Sequence, residues 1–201
     1  MMKQIPYGIT DFSRIQKENY YYVDKTMFIE KIEMQPPYLF LIRPRRFGKS
    51  LTLAMLEAYY DVNHAEQFDE LFGQLYIGQH PTKLHNQFLI MRFNFSEVSS
   101  NVNEVELSFK LHCCSKLKDF VFKYEDLLGK EIWDVLDEKI QEEPVLFCLR
   151  LIPMLPVRKI FVFIYSLMNM IISPIPFFRL TVRNFIGKQR MAKVLFVASL
   201  T

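Results

Sequence analysis

The stretch that decides the expected fold reads Tyr38-Leu39-Phe40-Leu41-Ile42-Arg43-Pro44-Arg45-Arg46-Phe47-Gly48-Lys49-Ser50. Its apolar first half predicts a buried strand, and apolar residues at helical spacing follow Ser50. A basic turn and the tripeptide Gly-Lys-Ser lie between them. In a phosphate-binding loop, backbone N–H groups converge on the anion ahead of a helix, a lysine binds the outer phosphates and a hydroxyl binds Mg²⁺. Gly48, Lys49 and Ser50 supply these groups, so the stretch predicts a nucleotide site.

One position departs from the usual phosphate-loop motif. The motif has an earlier glycine where this chain has Arg43, and Pro44 stiffens the turn. A basic surface turn that holds no ligand is therefore the alternative interpretation. The placement of Gly-Lys-Ser between an apolar strand and an apolar-periodic helix favours nucleotide binding over that alternative.

The loop resembles that of a known family. Residues 43–51 are similar to the modified phosphate loop of the bacterial "predicted AAA-ATPase" family, in which arginine at the first glycine position is the family's own pattern. The resemblance covers roughly residues 1–143. Other blocks resemble the same family in the family's order, namely Ile5-Pro6-Tyr7-Gly8, Asp11-Phe12, Tyr21-Tyr22-Val23-Asp24-Lys25-Thr26, Leu71-Phe72, Ile77-Gly78 and Phe93-Asn94-Phe95-Ser96.

This resemblance implies an α/β fold of the P-loop NTPase type, in which helices flank a parallel sheet, and it implies binding of ATP with Mg²⁺. Arg45 or Arg46 would contact phosphate, a neighbouring chain's site or an acidic partner, and the sequence leaves these alternatives open. Asp24 and Lys25 are implied near the nucleotide, although a helix N-cap and a solvated lysine fit them equally well. The implied phosphate-binding set is Arg43, Arg45, Arg46, Phe47, Gly48, Lys49 and Ser50, with the Ser50 hydroxyl on Mg²⁺.

The charges of the chain divide near Pro144. Residues 1–144 carry all 22 acidic residues and 17 Lys and Arg, a net charge of −5. Residues 145–201 carry 8 Lys and Arg and no acid, a net charge of +8. We therefore expect residues 1–143 to be the N-terminal portion of a P-loop domain that is incomplete, and residues 144–201 to be an apolar, basic tail of uncertain fold.

An acidic motif is missing where the family would have it. In phosphate-loop ATPases an Asp holds Mg²⁺, and a second polar group orients the attacking water. The resemblance places an Asp-Glu-Tyr-Asp-like block at residues 166–172, which here read Ser-Leu-Met-Asn-Met-Ile-Ile. We therefore predict weak nucleotide binding with little turnover, and we leave the catalytic residues unassigned.

The codon table offers an explanation for the missing acids. When the DNA is read from the last base of each codon, the codons of Met168 and Asn169 together must encode Glu, and those of Met170 and Ile171 together must encode Asp, whichever synonymous codons are used. The codons of Asn169 and Met170 together can encode Tyr. We hypothesise that the gene carries a frameshift between about Glu143 and Arg158, so that the tail is out-of-frame translation. The genomic DNA tests this hypothesis, because stop codons in the shifted frame ahead of the block would exclude it.

Three other interpretations of the chain stay open. Residues 160–178 carry no charge and lie between Lys159 and Arg179, which suits a membrane-spanning helix. Two prolines and Asn169 weaken that interpretation, so we do not expect a membrane partner. The arginine loop and the basic tail could instead hold nucleic-acid phosphates as a non-enzymatic module. The chain could also be a nonfunctional remnant of a longer gene.

Patterns elsewhere indicate further elements. We expect helices that begin near Asp24 and near Ser50, helices over residues 65–76 and 103–140, and a strand over residues 88–95. We expect Tyr59 and Tyr60 in the core rather than stacked on a base, because aromatic residues at helical spacing are usually buried.

Histidine and cysteine spacing indicates no metal site. The four histidines share no ligand spacing, and Cys113, Cys114 and Cys148 fit neither a zinc site nor a disulfide framework. The first residues are mixed and polar and resemble no secretory signal, so we expect the cytoplasm. A protein partner and the oligomeric state are left open.

Overall fold

The computed structural model of the chain describes residues 3–35, 38–44, 46–94, 97–99, 101, 104–134, 160–167 and 193–200. Along the chain these residues form α1 (Phe12–Lys17), α2 (Phe28–Glu33), β1 (Tyr38–Pro44), α3 (Lys49–Tyr60), a 3₁₀ helix (Val62–Gln67), α4 (Phe68–Phe72), α5 (Tyr76–Gln79), β2 (Leu89–Asn94), α6 (Val105–Lys123), α7 (Glu125–Leu128), β3 (Ile160–Leu167) and β4 (Lys193–Leu200).

The four strands form one parallel sheet in the order β1-β4-β3-β2. β1 pairs with β4, from Tyr38 opposite Val194 to Pro44 opposite Leu200. β3 pairs with β4 on one side and with β2 on the other. Because the strands are parallel, their carboxyl ends meet at one edge of the sheet, where α/β proteins bind ligands. The loop between β1 and α3 opens at this edge.

The two middle strands come from the tail. Residues 160–167 form β3, so a membrane-spanning helix that begins at residue 160 is wrong for these residues. Six of these eight residues are of β-branched or aromatic types, a composition that favours a strand, and neighbouring strands satisfy the backbone on both sides. Among the residues the structure describes, no helix is long and apolar enough to cross a membrane. Residues 168–192, which include the rest of the uncharged stretch, lie outside the described residues.

The core lies where α3 packs with the short helices before and after it. Tyr59 and Tyr60 are fully buried, which confirms their predicted place in the core. Tyr59 meets the Phe72 ring edge-on at 5.4 Å, and Tyr60 meets the Phe88 ring edge-on at 5.6 Å. Phe12 of α1 stacks at a tilt on Phe72. Buried aromatic surface therefore fixes the position of α3, the helix that carries the loop at its N-terminus.

The helix predicted over residues 65–76 is present only in part, because the structure has no single helix there. The structure instead has the 3₁₀ helix, α4 and the separate short helix α5 in this region. The break has a tertiary cause, because the Asp24 carboxylate accepts a hydrogen bond from the Tyr76 N–H and the Thr26 hydroxyl accepts one from the Ile77 N–H. Side chains from far along the chain thus cap the start of a new helix.

The helix predicted over residues 103–140 is present in part. α6 ends at Lys123, and the short helix α7 follows it after Tyr124. The phenol of Tyr124 is buried and accepts a hydrogen bond from the Ile90 N–H, which anchors the end of α6 against β2.

Candidate functional site

The turn between β1 and α3 has an unusual backbone. Gly48 is the N-cap of α3 and has φ of +71° and ψ of 19°, in the left-handed region. Arg46, two residues earlier, is also left-handed with φ of +64°, which is uncommon for a residue other than glycine. A Cβ at Gly48 would meet no other atom within 4 Å, so the space beside this backbone is open. The turn therefore presents open backbone at the start of a helix.

The start of α3 is suited to an anion. The first turn of an α-helix leaves N–H groups without an intrahelical acceptor, and it carries the positive end of the helix dipole. The Gly48 carbonyl closes this turn by accepting hydrogen bonds from the Thr52 N–H at 2.8 Å and the Thr52 hydroxyl at 2.9 Å. α3 is 12 residues long, and its buried face holds it in place. The donors of the first turn are therefore held rigidly at the carboxyl edge of the sheet.

Lys49 reaches back across the turn. Its ammonium Nζ donates a hydrogen bond to the Pro44 carbonyl at 3.0 Å, where β1 ends. The cation therefore lies across the turn, at the end of β1. A phosphate oxygen is a stronger partner for an ammonium than a neutral carbonyl is, so an anion could replace this contact.

The structure places most of the predicted phosphate-binding residues around this turn. Arg43 is the next-to-last residue of β1, and Lys49 and Ser50 are the first two residues of α3. Arg46 is exposed, and Phe47 is 65% exposed. Arg45 lies outside the described residues.

Two cavities flank the N-terminus of α3. The first has a volume of about 600 Å³ and is lined by Phe47, Gly48, Leu51 and Thr52, together with residues of α2 and of the segment before it. The second has a volume of about 510 Å³ and is lined by Ser50, by Asp11 and by Glu57 further along the helix. Residues of α3 thus line an apolar cavity on one side and a polar cavity with charges of both signs, which Arg92 also lines, on the other.

Asp24 supports the fold rather than the loop. Its carboxylate accepts hydrogen bonds from the Thr26 N–H at 2.8 Å, the Thr26 hydroxyl at 2.7 Å and the Tyr76 N–H at 2.8 Å. These three donors account for the carboxylate as a helix cap, so the structure favours the capping role over a place beside the nucleotide. Lys25 does lie near the loop, because it lines the first cavity with Phe47 and Gly48.

A buried charge cluster at the C-terminal end of α3 was not predicted from the sequence. Asp61 is fully buried, and its Oδ2 lies 2.7 Å from the Lys123 ammonium, which also lies 3.1 Å from Glu57 Oε1. Burial alone would raise the pKa of Asp61, but the nearby His64 ring, the Lys123 ammonium and the Asn63 N–H together lower it. No local sequence motif predicts the pair of Asp61 and Lys123, because the two residues lie at the ends of two different helices.

The strand ends near the loop carry no acid. β3 ends with Ser166 and Leu167, and Leu167 lies opposite Ser199 of β4, which in turn lies opposite Arg43 of β1. The described carboxyl ends of β3 and β4 therefore bring hydroxyl and apolar residues, but no carboxylate, to the edge where the loop opens. The part of the chain that the structure describes also holds no group of three His, Cys, Asp or Glu that could bind a metal ion.

Comparisons with known proteins identify a family for the chain. The family model described as "Predicted AAA-ATPase" matches residues 6–164, well over half of the chain. The chain is also 51% identical over 55 residues to a protein of Azotobacter chroococcum mcd 1 named "Uncharacterized protein in vnfD 5'region". The alignment covers 27% of this chain and 11% of that relative, so the chain spans only a small part of the relative's length. No solved structure matches the chain. On the family match, the chain belongs to the predicted AAA-ATPase family.

Proposed function

We propose that the chain binds ATP with Mg²⁺ through residues 43–50. The observation that supports this best is the turn itself, where left-handed Gly48 opens the backbone at the start of α3 and Lys49 bridges to the end of β1. Backbone N–H groups of the turn and of the first helical turn would bind the phosphate oxygens. Lys49 would leave the Pro44 carbonyl for the outer phosphates.

The residues present fit phosphate better than they fit a complete metal site. The Ser50 hydroxyl, at the second position of α3, would supply one Mg²⁺ ligand. Mg²⁺ commonly keeps several waters and takes its other ligands from the phosphates, so one hydroxyl is compatible with binding. A hydrolytic site also needs an acid that holds the metal and a group that orients water.

We propose that turnover is slow or absent. Residues 145–201 contain no Asp or Glu, and β3 ends at the loop's edge of the sheet with Ser166 and Leu167. β3 and β4 thus bring no carboxylate to the place where the loop opens, so none of their described residues would hold Mg²⁺ or orient the attacking water. We therefore do not expect this chain to hydrolyse ATP at an appreciable rate.

The frameshift hypothesis remains our explanation for the missing acids. The shifted frame would place its acids directly after β3, at the edge of the sheet where the loop opens. The family match continues to residue 164, which supports a change of frame near the end of β3 rather than before Arg158. Sequencing the gene around these codons decides the point, since an uninterrupted family-like frame would be visible directly.

The proposal is tested by ligand protection and by turnover. We expect Mg-ATP to raise the melting temperature of the chain in a saturable way, because a ligand that binds only the folded state stabilises it. Lys49→Ala should abolish the rise, whereas Lys83→Ala, a change of an exposed lysine away from the loop, should retain it. Phosphate release should stay at the background rate. Protection by duplex DNA, and not by ATP, would favour a nucleic-acid-binding module instead.

A further inference from the structure

The apolar cavity beside the loop is lined by residues that are typical of a ligand-binding site. Three aromatic side chains at the cavity are largely exposed, with Tyr21 at 56%, Phe28 at 47% and Phe47 at 65%. Exposed apolar surface that clusters in one concave place marks a binding site more often than scattered exposed residues do. A volume of about 600 Å³ also lies within the usual range for small-molecule sites.

The cavity is continuous with the phosphate loop. Phe47 and Gly48 belong to the turn and line the cavity, and Leu51 and Thr52 line it from the first turn of α3. A ligand whose phosphates lie on the start of α3 would therefore have the cavity mouth directly beside it. The walls further in are apolar, with Leu39 and Leu41 from β1 and Met55 from α3.

The second cavity is a poorer match for the same ligand part. Its lining includes Asp11, Glu57 and Arg92, so its walls are polar and carry charges of both signs. A flat, uncharged aromatic ring gains most where apolar and aromatic side chains can cover its faces. The chemistry of the two cavities thus assigns the ring to the first cavity rather than to the second.

We propose that the first cavity is the base subsite of the nucleotide, with Tyr21 and Phe28 covering the base and ribose while the loop holds the phosphates. This inference rests on the proposed nucleotide binding. The base is held mainly by stacking and apolar contact, because the cavity walls offer few polar side chains, Lys25 and Thr52 among them. Substitutions in the cavity should therefore weaken binding of the base and leave the contacts to the phosphates unchanged.

The test compares a nucleotide with its phosphates alone. Calorimetric titration of the full chain with Mg-ATP and with inorganic tripolyphosphate separates the two halves of the ligand. Tyr21→Ala and Phe28→Ala should each weaken Mg-ATP binding about tenfold, because base stacking on one aromatic side chain has roughly that effect. Binding of tripolyphosphate should change by less than about twofold.

Matched controls keep the outcomes distinct. Tyr7→Ala and Phe122→Ala remove exposed aromatic residues that do not line the cavity, and these variants should bind both ligands as the unchanged chain does. If Tyr21→Ala and Phe28→Ala bind Mg-ATP like the unchanged chain while Lys49→Ala does not, the base subsite is refuted and the proposed function stands. Equal weakening of both ligands also refutes it, since the effect would then lie in the loop. If the unchanged chain binds neither ligand, the proposed function fails with it.

Discussion

At the scale of single residues, Gly48 has the clearest physical reason for its identity. With φ of +71°, it occupies a region where a side chain costs about 1 kcal/mol or more, although a Cβ would meet nothing within 4 Å. The energetic cost of a replacement is therefore conformational rather than steric. A replacement would change the backbone conformation of the turn that presents the N–H groups.

Gly48→Ala should therefore lower the free energy of unfolding by about 1 kcal/mol and weaken Mg-ATP binding further than that loss explains. Chemical denaturation and calorimetric titration give the two quantities. Gly129→Ala is the matched control, because Gly129 also has positive φ, +83°, but lies after α7, away from the loop. This control should lose stability and keep its nucleotide affinity; equal binding by both variants would count against the role of Gly48.

Lys123 is the second residue with a specific prediction. Lys123→Met leaves the Asp61 carboxylate buried without its cation, and we expect the free energy of unfolding at pH 7 to fall by about 2 to 3 kcal/mol. This figure is below the usual cost of breaking a buried pair because the Lys123 side chain is 34% exposed, so water can partly replace it. Lys116→Met, which removes an exposed pair with Asp119 on the same helix, should cost less than about 0.5 kcal/mol.

The same pair predicts a pH dependence. The fold lowers the pKa of Asp61, so the stability it contributes is present above the ordinary carboxyl pKa of about 4 and is lost as the pH falls below it. The stability difference between the unchanged chain and Lys123→Met should thus shrink from pH 7 toward about pH 3. Denaturation curves at several pH values measure it, and a difference that stays constant would contradict the assignment.

Residues close in the chain could be placed from the sequence, and residues far apart could not. Gly48, Lys49 and Ser50 follow an apolar strand and precede an apolar-periodic helix, so their position at the strand-to-helix turn was readable from local pattern alone. Asp61 and Lys123 gave no such signal, because their contact exists only once α3 and α6 have packed.

At the scale of elements, the short helices depend on caps from elsewhere. β1 and β2 were predicted nearly at their observed bounds, since each is an apolar run bounded by turn residues. The structure has no single helix over residues 65–76, because Asp24 and Thr26 cap a separate helix, α5, from a distant part of the chain. Hydrophobic periodicity carries no information about such distant caps.

Thr26→Val tests this capping role. The hydroxyl of the fully buried Thr26 accepts from the Ile77 N–H and donates to Asp24, so its loss leaves a buried donor unpaired and should cost about 1 to 3 kcal/mol. Nucleotide affinity should be unchanged in the folded variant. The exposed Thr10→Val is the control and should stay within about 0.5 kcal/mol of the unchanged chain. A Thr26→Val chain as stable as its parent would contradict the account of α5.

At the scale of the whole molecule, the sheet joins the two regions that the charge pattern separates. β3 and β4 lie between β1 and β2, so the strands of the N-terminal region do not pair with each other. The sequence could not predict this strand order, because parallel pairing between strands so far apart in the chain leaves no local sequence pattern. The charge and the prolines of the tail suggested instead that the tail was a separate region.

Removal of residues 144–201 should therefore abolish cooperative folding. The truncated chain would lose both middle strands and expose the edges of β1 and β2, which favours aggregation. Thermal unfolding followed by circular dichroism, together with the fraction that stays in solution, measures the effect against the full chain. A truncated chain that melts cooperatively at the same temperature would show that the tail strands contribute nothing to the fold.

The most direct test of the central claim is a calorimetric titration of the folded full chain with Mg-ATP, alongside Lys49→Ala and Lys83→Ala. The account predicts saturable binding by the unchanged chain and by Lys83→Ala, and its loss in Lys49→Ala. Absence of binding in the unchanged chain, or equal binding by all three proteins, would contradict the claim that the turn before α3 holds the phosphates of a nucleotide.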